Sequence, residues 1–166
     1  MPFKKPHHTP EDRYITKVDD GYLIKPRGLN IVWGNDSRYW KIPEDGAAEL
    51  IQVSWLEVSS IVSIKKAGKY RIKFHVNVKE DGFGWNGTDV LVMAKVGKMG
   101  KYVYKVANLS RDHGPLEIPL DEPLDIEVKN ANEATPKDLH FGLYEVWSGK
   151  WKGGLEIIDA EVSSVP

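Results

Sequence analysis

Trp33 and Trp40 bracket a polar stretch, Gly34, Asn35, Asp36, Ser37, Arg38 and Tyr39. Two indoles at the rim of one turn, with amide and carboxylate groups between them, supply what a saccharide needs. The apolar C–H face of a pyranose stacks on an aromatic plane, and placed polar side chains bond its hydroxyls. Each stacking contact is worth on the order of 1 kcal/mol, by analogy with aromatic pairs. One sugar ring is then held weakly, and longer oligomers gain along a groove. The same spacing also fits two core indoles closing a hairpin. Trp85 lies in a loop with Gly82, Gly84 and Gly87 and is followed by Asn86. It is a second candidate platform, or equally a loop anchor. The candidate carbohydrate-binding set is therefore Trp33, Asn35, Asp36, Trp40, Trp85 and Asn86. The other three of the six tryptophans read as structural: Trp55 within a central strand, and Trp147 and Trp151 flanking a turn at Ser148 and Gly149.

Other chemistries find little support. The chain has no cysteine, which removes thiol nucleophiles and disulfides. It contains no G-x-S-x-G, no Walker-type loop and no H-E-x-x-H. His7 and His8 fall in a stretch expected to be mobile, and His75 faces outward on its strand, so no metal site is expected. Glu57, Glu145, Glu156 and Asp159 lie on expected strands and read as solvated carboxylates; glycoside hydrolysis needs a pair at a set separation. The expectation is a binding protein with no catalytic residue and no cofactor. Formal charge is -1, from 23 basic and 24 acidic residues, a poor balance for an obligate nucleic-acid binder. Local basic residues, Lys4, Lys5, Lys65, Lys66, Lys69, Arg71 and Lys73, leave RNA or a protein as the alternative partner.

The elements that must position the aromatics are short strands. Residues 69–78 alternate cleanly: Tyr70, Ile72, Phe74, Val76 and Val78 share one face, with Lys69, Arg71, Lys73, His75 and Asn77 on the other. Further strands are expected at 30–33, 39–42, 49–59, 90–96, 102–107, 116–120, 124–128, 139–147 and 155–163. Turn residues separate them, and no long 3.6-residue period occurs. Half-apolar strands need an opposing sheet, so the fold class is all-β, a jelly-roll-like antiparallel β-sandwich. Residues 1–26, broken by Pro2, Pro6 and Pro10, read as an N-terminal extension to a single domain at 27–166. No stretch approaches the roughly 18 apolar residues of a membrane span. The polar N-terminus and the absence of cysteine favour a cytoplasmic or nuclear location over secretion. The N-x-S/T matches at Asn35, Asn86 and Asn108 are accordingly expected to be bare.

Five segments in order resemble the phloem protein 2, or Nictaba-like, lectins: RGLNIVWGNDSRYWKI at 27–42, AELIQVSWLE at 48–57, GKYRIKF at 68–74, GPLEI at 114–118 and WKGGL at 151–155. The resemblance spans about residues 27–163, and the size is similar to that of the small cucurbit phloem lectins. It implies a jelly-roll-like sandwich, a nucleocytoplasmic or phloem-sap location, and binding to N-acetylglucosamine oligomers and N-glycan cores. It also implies a homodimer and a role in defence, and it ties Trp33 and Trp40 to the sugar. Ser54 stands where members often carry cysteine. Residues 79–112 match poorly, so the resemblance lends no support to Trp85.

Overall fold

Strand alternation organises the molecule. Its structure, a computed structural model, describes residues 6–109 and 114–166. Thirteen strands follow in chain order: β1 (Ile15–Val18), β2 (Gly21–Ile24), β3 (Asn30–Ile31), β4 (Trp40–Lys41), β5 (Ala48–Leu50), β6 (Leu56–Ile64), β7 (Gly68–Phe83), β8 (Val90–Val96), β9 (Val103–Ala107), β10 (Gly114–Ile118), β11 (Leu124–Val128), β12 (Lys137–Glu145) and β13 (Gly153–Val165). Every ladder is antiparallel. No helix of the described residues is long and apolar enough to cross a membrane.

In the eight-stranded sheet, β13 lies against β7 over residues 69–83. Its other edge takes β2 and β5, with β1 and β4 beyond them. The far edge of β7 takes β10 and β11. The second sheet runs β3-β6-β12-β8-β9. Tyr70, Ile72, Phe74, Val76 and Val78 of β7 are buried as the alternation requires, and Phe74 meets Phe141 of β12 across the interior with ring centroids 6.1 Å apart. The two inner faces thus form one hydrophobic core. The expected all-β antiparallel sandwich is the architecture found.

Two expectations are revised. Residues 15–24, placed in an extension, form the β1–β2 hairpin, and β2 pairs with β13 through Ile24–Ala160 and Tyr22–Val162. Ile24 is buried, and that burial holds the hairpin on the sheet despite the prolines upstream. His8, expected in a mobile stretch, is buried and bridges Ile31. The second revision concerns residues 49–59, which are not one strand. The chain leaves β5 after Leu50 and starts β6 at Leu56, and between them Val53 bridges Lys152. Lys4, Lys5 and His113 lie outside the described residues.

On the outer face of the eight-stranded sheet, three strands meet at His75 of β7. Its Nδ1 lies 2.5 Å from Asp159 of β13 and its Nε2 lies 3.2 Å from Glu117 of β10. Partial burial opposes the imidazolium, but the bonds to Asp159 and Glu117 outweigh it, so the pKa is raised above the ordinary histidine value. A raised pKa stabilises the fold fully below the unfolded value near 6.5, and the contribution fades as pH rises through the folded value. We expect His75→Gln to cost on the order of 1 kcal/mol at pH 5.5 and clearly less at pH 9. Urea denaturation of both proteins at the two pH values checks this; a pH-independent difference would refute it.

Candidate carbohydrate site

The turn after β3 turns Trp33 outward. Trp33 has φ +66°, a left-handed conformation that costs an L-residue roughly 1–2 kcal/mol. Surrounding bonds hold it there. The Trp33 N–H donates to His7 Nδ1 at 2.9 Å, the Asn35 amide donates to the His7 carbonyl at 2.9 Å, and Asp36 N–H donates to the Trp33 carbonyl at 3.1 Å. Gly34 must be glycine, since a Cβ would sit 2.8 Å from both His8 Cβ and the Ile31 carbonyl oxygen. The Trp33 indole is 38 % exposed and meets His7 and Tyr39 edge-on at 5.5 and 5.7 Å.

The break between β5 and β6 brings up a second wall. Trp55, expected in the core, is 45 % exposed, and its indole N–H donates to Glu57 at 3.0 Å. Trp151, expected to be structural, is 51 % exposed and lies 6.3 Å from Tyr39. Trp33, Tyr39, Trp55 and Trp151, with Val53 and Ser54, line a cleft of about 120 Å³. The local sequence pattern does not show that Trp55 and Trp151 meet at one cleft, because it does not show the break between β5 and β6. Trp55 sits at a strand start rather than mid-strand, and Trp151 precedes Gly153, where a Cβ would fall 2.0 Å from the Ile51 carbonyl oxygen. That close approach seats the start of β13 against the break.

The other expected residues are placed differently. Trp40 is only 2 % exposed and belongs to the core, and its indole N–H has no hydrogen-bond partner among the described residues. Trp85 is 3 % exposed and donates to the Gly153 carbonyl at 3.0 Å, so it anchors its loop from inside. Both indoles are spent on packing, apart from the small part of Trp40 that borders a polar groove. Asn86 is exposed, and its carbonyl accepts from Lys150 Nζ at 2.6 Å. Asp36 is clamped by Arg38, whose Nη2 lies 2.7 Å away. The Arg38 hydrogen bonds bring the Asp36 pKa down to about 2, and Arg38 in turn lies over the Tyr39 ring at 5.1 Å. Asn35 and Trp40 also line a polar groove of about 600 Å³ with Arg27, Ser37 and Glu49, beside the aromatic cleft. Each carboxylate weighed for hydrolysis has a partner: Glu57 holds Trp55, Glu156 accepts from Asn77, Asp159 faces His75, and Glu145 pairs with Lys152.

That last pair is the support of the aromatic cleft. Lys152 and Glu145 are buried, with Nζ and Oε1 2.8 Å apart. Lys152 Nζ also donates to the carbonyls of Ser54 and Lys150, both at 2.9 Å. These are the residues preceding Trp55 and Trp151. Burial opposes the charge on Glu145, yet Lys152 and the Ser148 hydroxyl hold its pKa below the ordinary carboxylate value.

The model of the phloem protein 2 family matches residues 19–163 of this chain. The chain belongs to the phloem protein 2 family. Two Arabidopsis thaliana relatives agree: Phloem protein 2-like A9 is 40 % identical, with 98 % of each chain covered, and Phloem protein 2-like A1 is 22 % identical over 82 % of this chain and 58 % of its own. Among solved structures, the carbohydrate-binding module CBM36-1 of a multidomain xylanase from a Trinervitermes trinervoides hindgut metagenome aligns over 88 % of this chain and 98 % of its own, at 13 % identity and a TM-score of 0.41. The family match begins at residue 19 and so takes in β2, in keeping with the pairing of that strand on β13.

For this phloem protein 2 chain, Lys152→Met leaves Glu145 buried without a countercharge and is expected to cost about 3–5 kcal/mol. Adding Glu145→Leu should restore most of that stability while leaving the Ser54 and Lys150 carbonyls without their donor. Denaturant titration reads the first effect. Tryptophan near-UV circular dichroism reads the second: a double variant with wild-type spectra would show that the pair does not position the indoles.

Proposed function

We propose that the chain is a lectin that holds oligomers of N-acetylglucosamine, such as chito-oligosaccharides and N-glycan cores, at the Trp33, Tyr39, Trp55 and Trp151 cleft, without catalysis or cofactor. Membership of the phloem protein 2 family supports this, and so does the convergence of four partly exposed aromatics on one small cleft. The convergence is the observation that carries the reading. A cleft of about 120 Å³ holds about four waters' share of liquid volume, which suits an acetamido group better than a pyranose ring. In this reading the N-acetyl group enters the cleft with its methyl against indole and Val53. The ring lies over the exposed indole faces, and further rings extend toward the polar groove at Asn35 and Ser37. Glucose lacks the acetamido group and forfeits that contact.

The protein would act in the cytoplasm, nucleus or phloem sap. As a homodimer it would offer two clefts to a branched glycan and gain avidity by effective concentration. The alternative reading, an RNA- or protein-binding carrier, leans on basic residues of which three are paired with carboxylates. Lys66 lies 3.5 Å from Asp20, Arg71 2.8 Å from Asp125, and Lys73 3.1 Å from Glu117.

Calorimetric titration tests the lectin reading. Chitotriose should bind at least tenfold more tightly than cellotriose, which corresponds to about 1.4 kcal/mol. Trp33→Ala and Trp151→Ala should each weaken chitotriose by about tenfold while remaining folded, in line with one lost stacking contact. Trp40→Ala should instead lose about 3–5 kcal/mol of stability, as for a core aromatic. Equal binding of the two trisaccharides would end the specificity claim, and unchanged affinity in both surface variants would remove the site.

A further inference from the structure

The loop between β12 and β13 carries two exposed tryptophans, and they face different depressions. Trp151 closes the aromatic cleft described above. Trp147, 60 % exposed, lines a separate groove of about 540 Å³ with Tyr104, Val106, Leu91, Asp89 and Ser148. Tyr104 and Val106 lie two residues apart on β9, the edge strand of the five-stranded sheet, and Val106 pairs with Leu91 of β8. They therefore share that sheet's outer face.

The groove's chemistry is specific. Trp147 and Tyr104 offer exposed ring faces. Neither the Tyr104 hydroxyl nor the Asp89 carboxylate has a side-chain partner among the described residues, so both are available to a ligand. The Ser148 hydroxyl is engaged within the loop, donating to Glu145 at 2.6 Å and accepting from the Lys150 N–H at 3.1 Å. Among the described residues neither lysine nor arginine lines the groove, and its two carboxylates, Asp89 and the paired Glu145, disfavour phosphates and acidic polymers. The remaining ligand class that stacks on aromatics and donates hydroxyl protons to a carboxylate is a neutral saccharide. The volume, unlike that of the first cleft, accommodates whole rings.

We propose that this groove is a second saccharide site, taking two or three rings of a neutral oligosaccharide between Trp147 and Tyr104, with Asp89 accepting from a ring hydroxyl. The choice of sugar as ligand rests on the lectin reading of the first cleft; the site itself uses none of its residues. Lys150 fixes the geometry, because its Nζ donates to the Asn86 carbonyl at 2.6 Å and ties the Trp147–Trp151 loop to the segment that precedes Asp89. One chain would then bind glycan on both sides of a single loop.

The test labels the whole chain with 5-fluorotryptophan, giving six fluorine resonances that single Trp→Phe variants assign. Chitotriose and cellotriose are titrated in turn. The Trp147 resonance should shift saturably with at least one of them. Asp89→Asn or Tyr104→Ala should weaken that response at least tenfold while the Trp33 and Trp151 responses persist. A Trp147 resonance that stays still while Trp33, Trp55 and Trp151 move would overturn the second site and leave the first intact. The converse pattern would remove the first cleft and uphold the groove. A Trp147 shift that follows protein concentration and ignores sugar would overturn the proposal in favour of a second copy of the chain on β9.

Discussion

Burying a lysine is expensive, and this chain does so at the point where its surface aromatics are set. The ammonium of Lys152 loses its water and recovers from Glu145 and two main-chain carbonyls what the solvent would have given. Those carbonyls belong to two segments far apart in sequence, the break before β6 and the turn before β13. A hydrophobic residue there could fill the space but could not bond either backbone. The pair therefore gives up stability that an apolar core would supply, and in exchange fixes where two loops stand relative to each other. Glu145 reaches in the other direction, holding Ser148 and with it the tip of the loop that carries Trp147. Both depressions on this end of the sandwich trace back to one ion pair.

The sandwich behind them follows ordinary strand logic. Long β7 and β13 pair along most of their length, and their inward residues meet the other sheet in a single core. The outward residues do something less generic. Arg71, Lys73, His75 and Asn77 each meet an acidic side chain on a neighbouring strand, and Lys79 reaches past β13 to Glu49 of β5, so that the polar face is stitched across the sheet. This near-complete pairing is why a chain with 23 basic residues presents no strong positive field on that face.

Much of the architecture was legible. The alternation at 69–78 marks one buried and one polar face, and the turn residues separate strands much as expected. Less legible was which tryptophans reach solvent. Period-two logic assumes an unbroken strand, and it placed Trp55 inside because residues 49–59 read as continuous. The break at 51–55 depends on a bridge from Val53 to Lys152, a partner about one hundred positions away that no local pattern announces. Trp40 shows the converse. Its neighbours are polar, yet its strand pairs with β5 and turns the indole into the core. The loop of Trp85 is glycine-rich, which suggests exposure, but its glycines let the backbone pass close enough for the indole to bury and reach the Gly153 carbonyl. The aromatic neighbourhood was thus found from the sequence through Trp33 alone, and its true membership had to come from the fold.

The contact between His7 and Trp33 has a wider consequence. Residues 6–8 lie before the region that the family pattern describes, yet they supply the acceptor for the Trp33 amide, the carbonyl for Asn35 and a bridge to Ile31. The Trp33 corner of the cleft is thus held by a short arm that contributes almost nothing to the sandwich core. Two relatives can share every strand and still hold this indole differently, because a change of two or three residues in the arm re-aims it without disturbing the sheets. The aim of this indole, and so the shape offered at the mouth of the cleft, is then set by a stretch that lies outside the family pattern at 19–163.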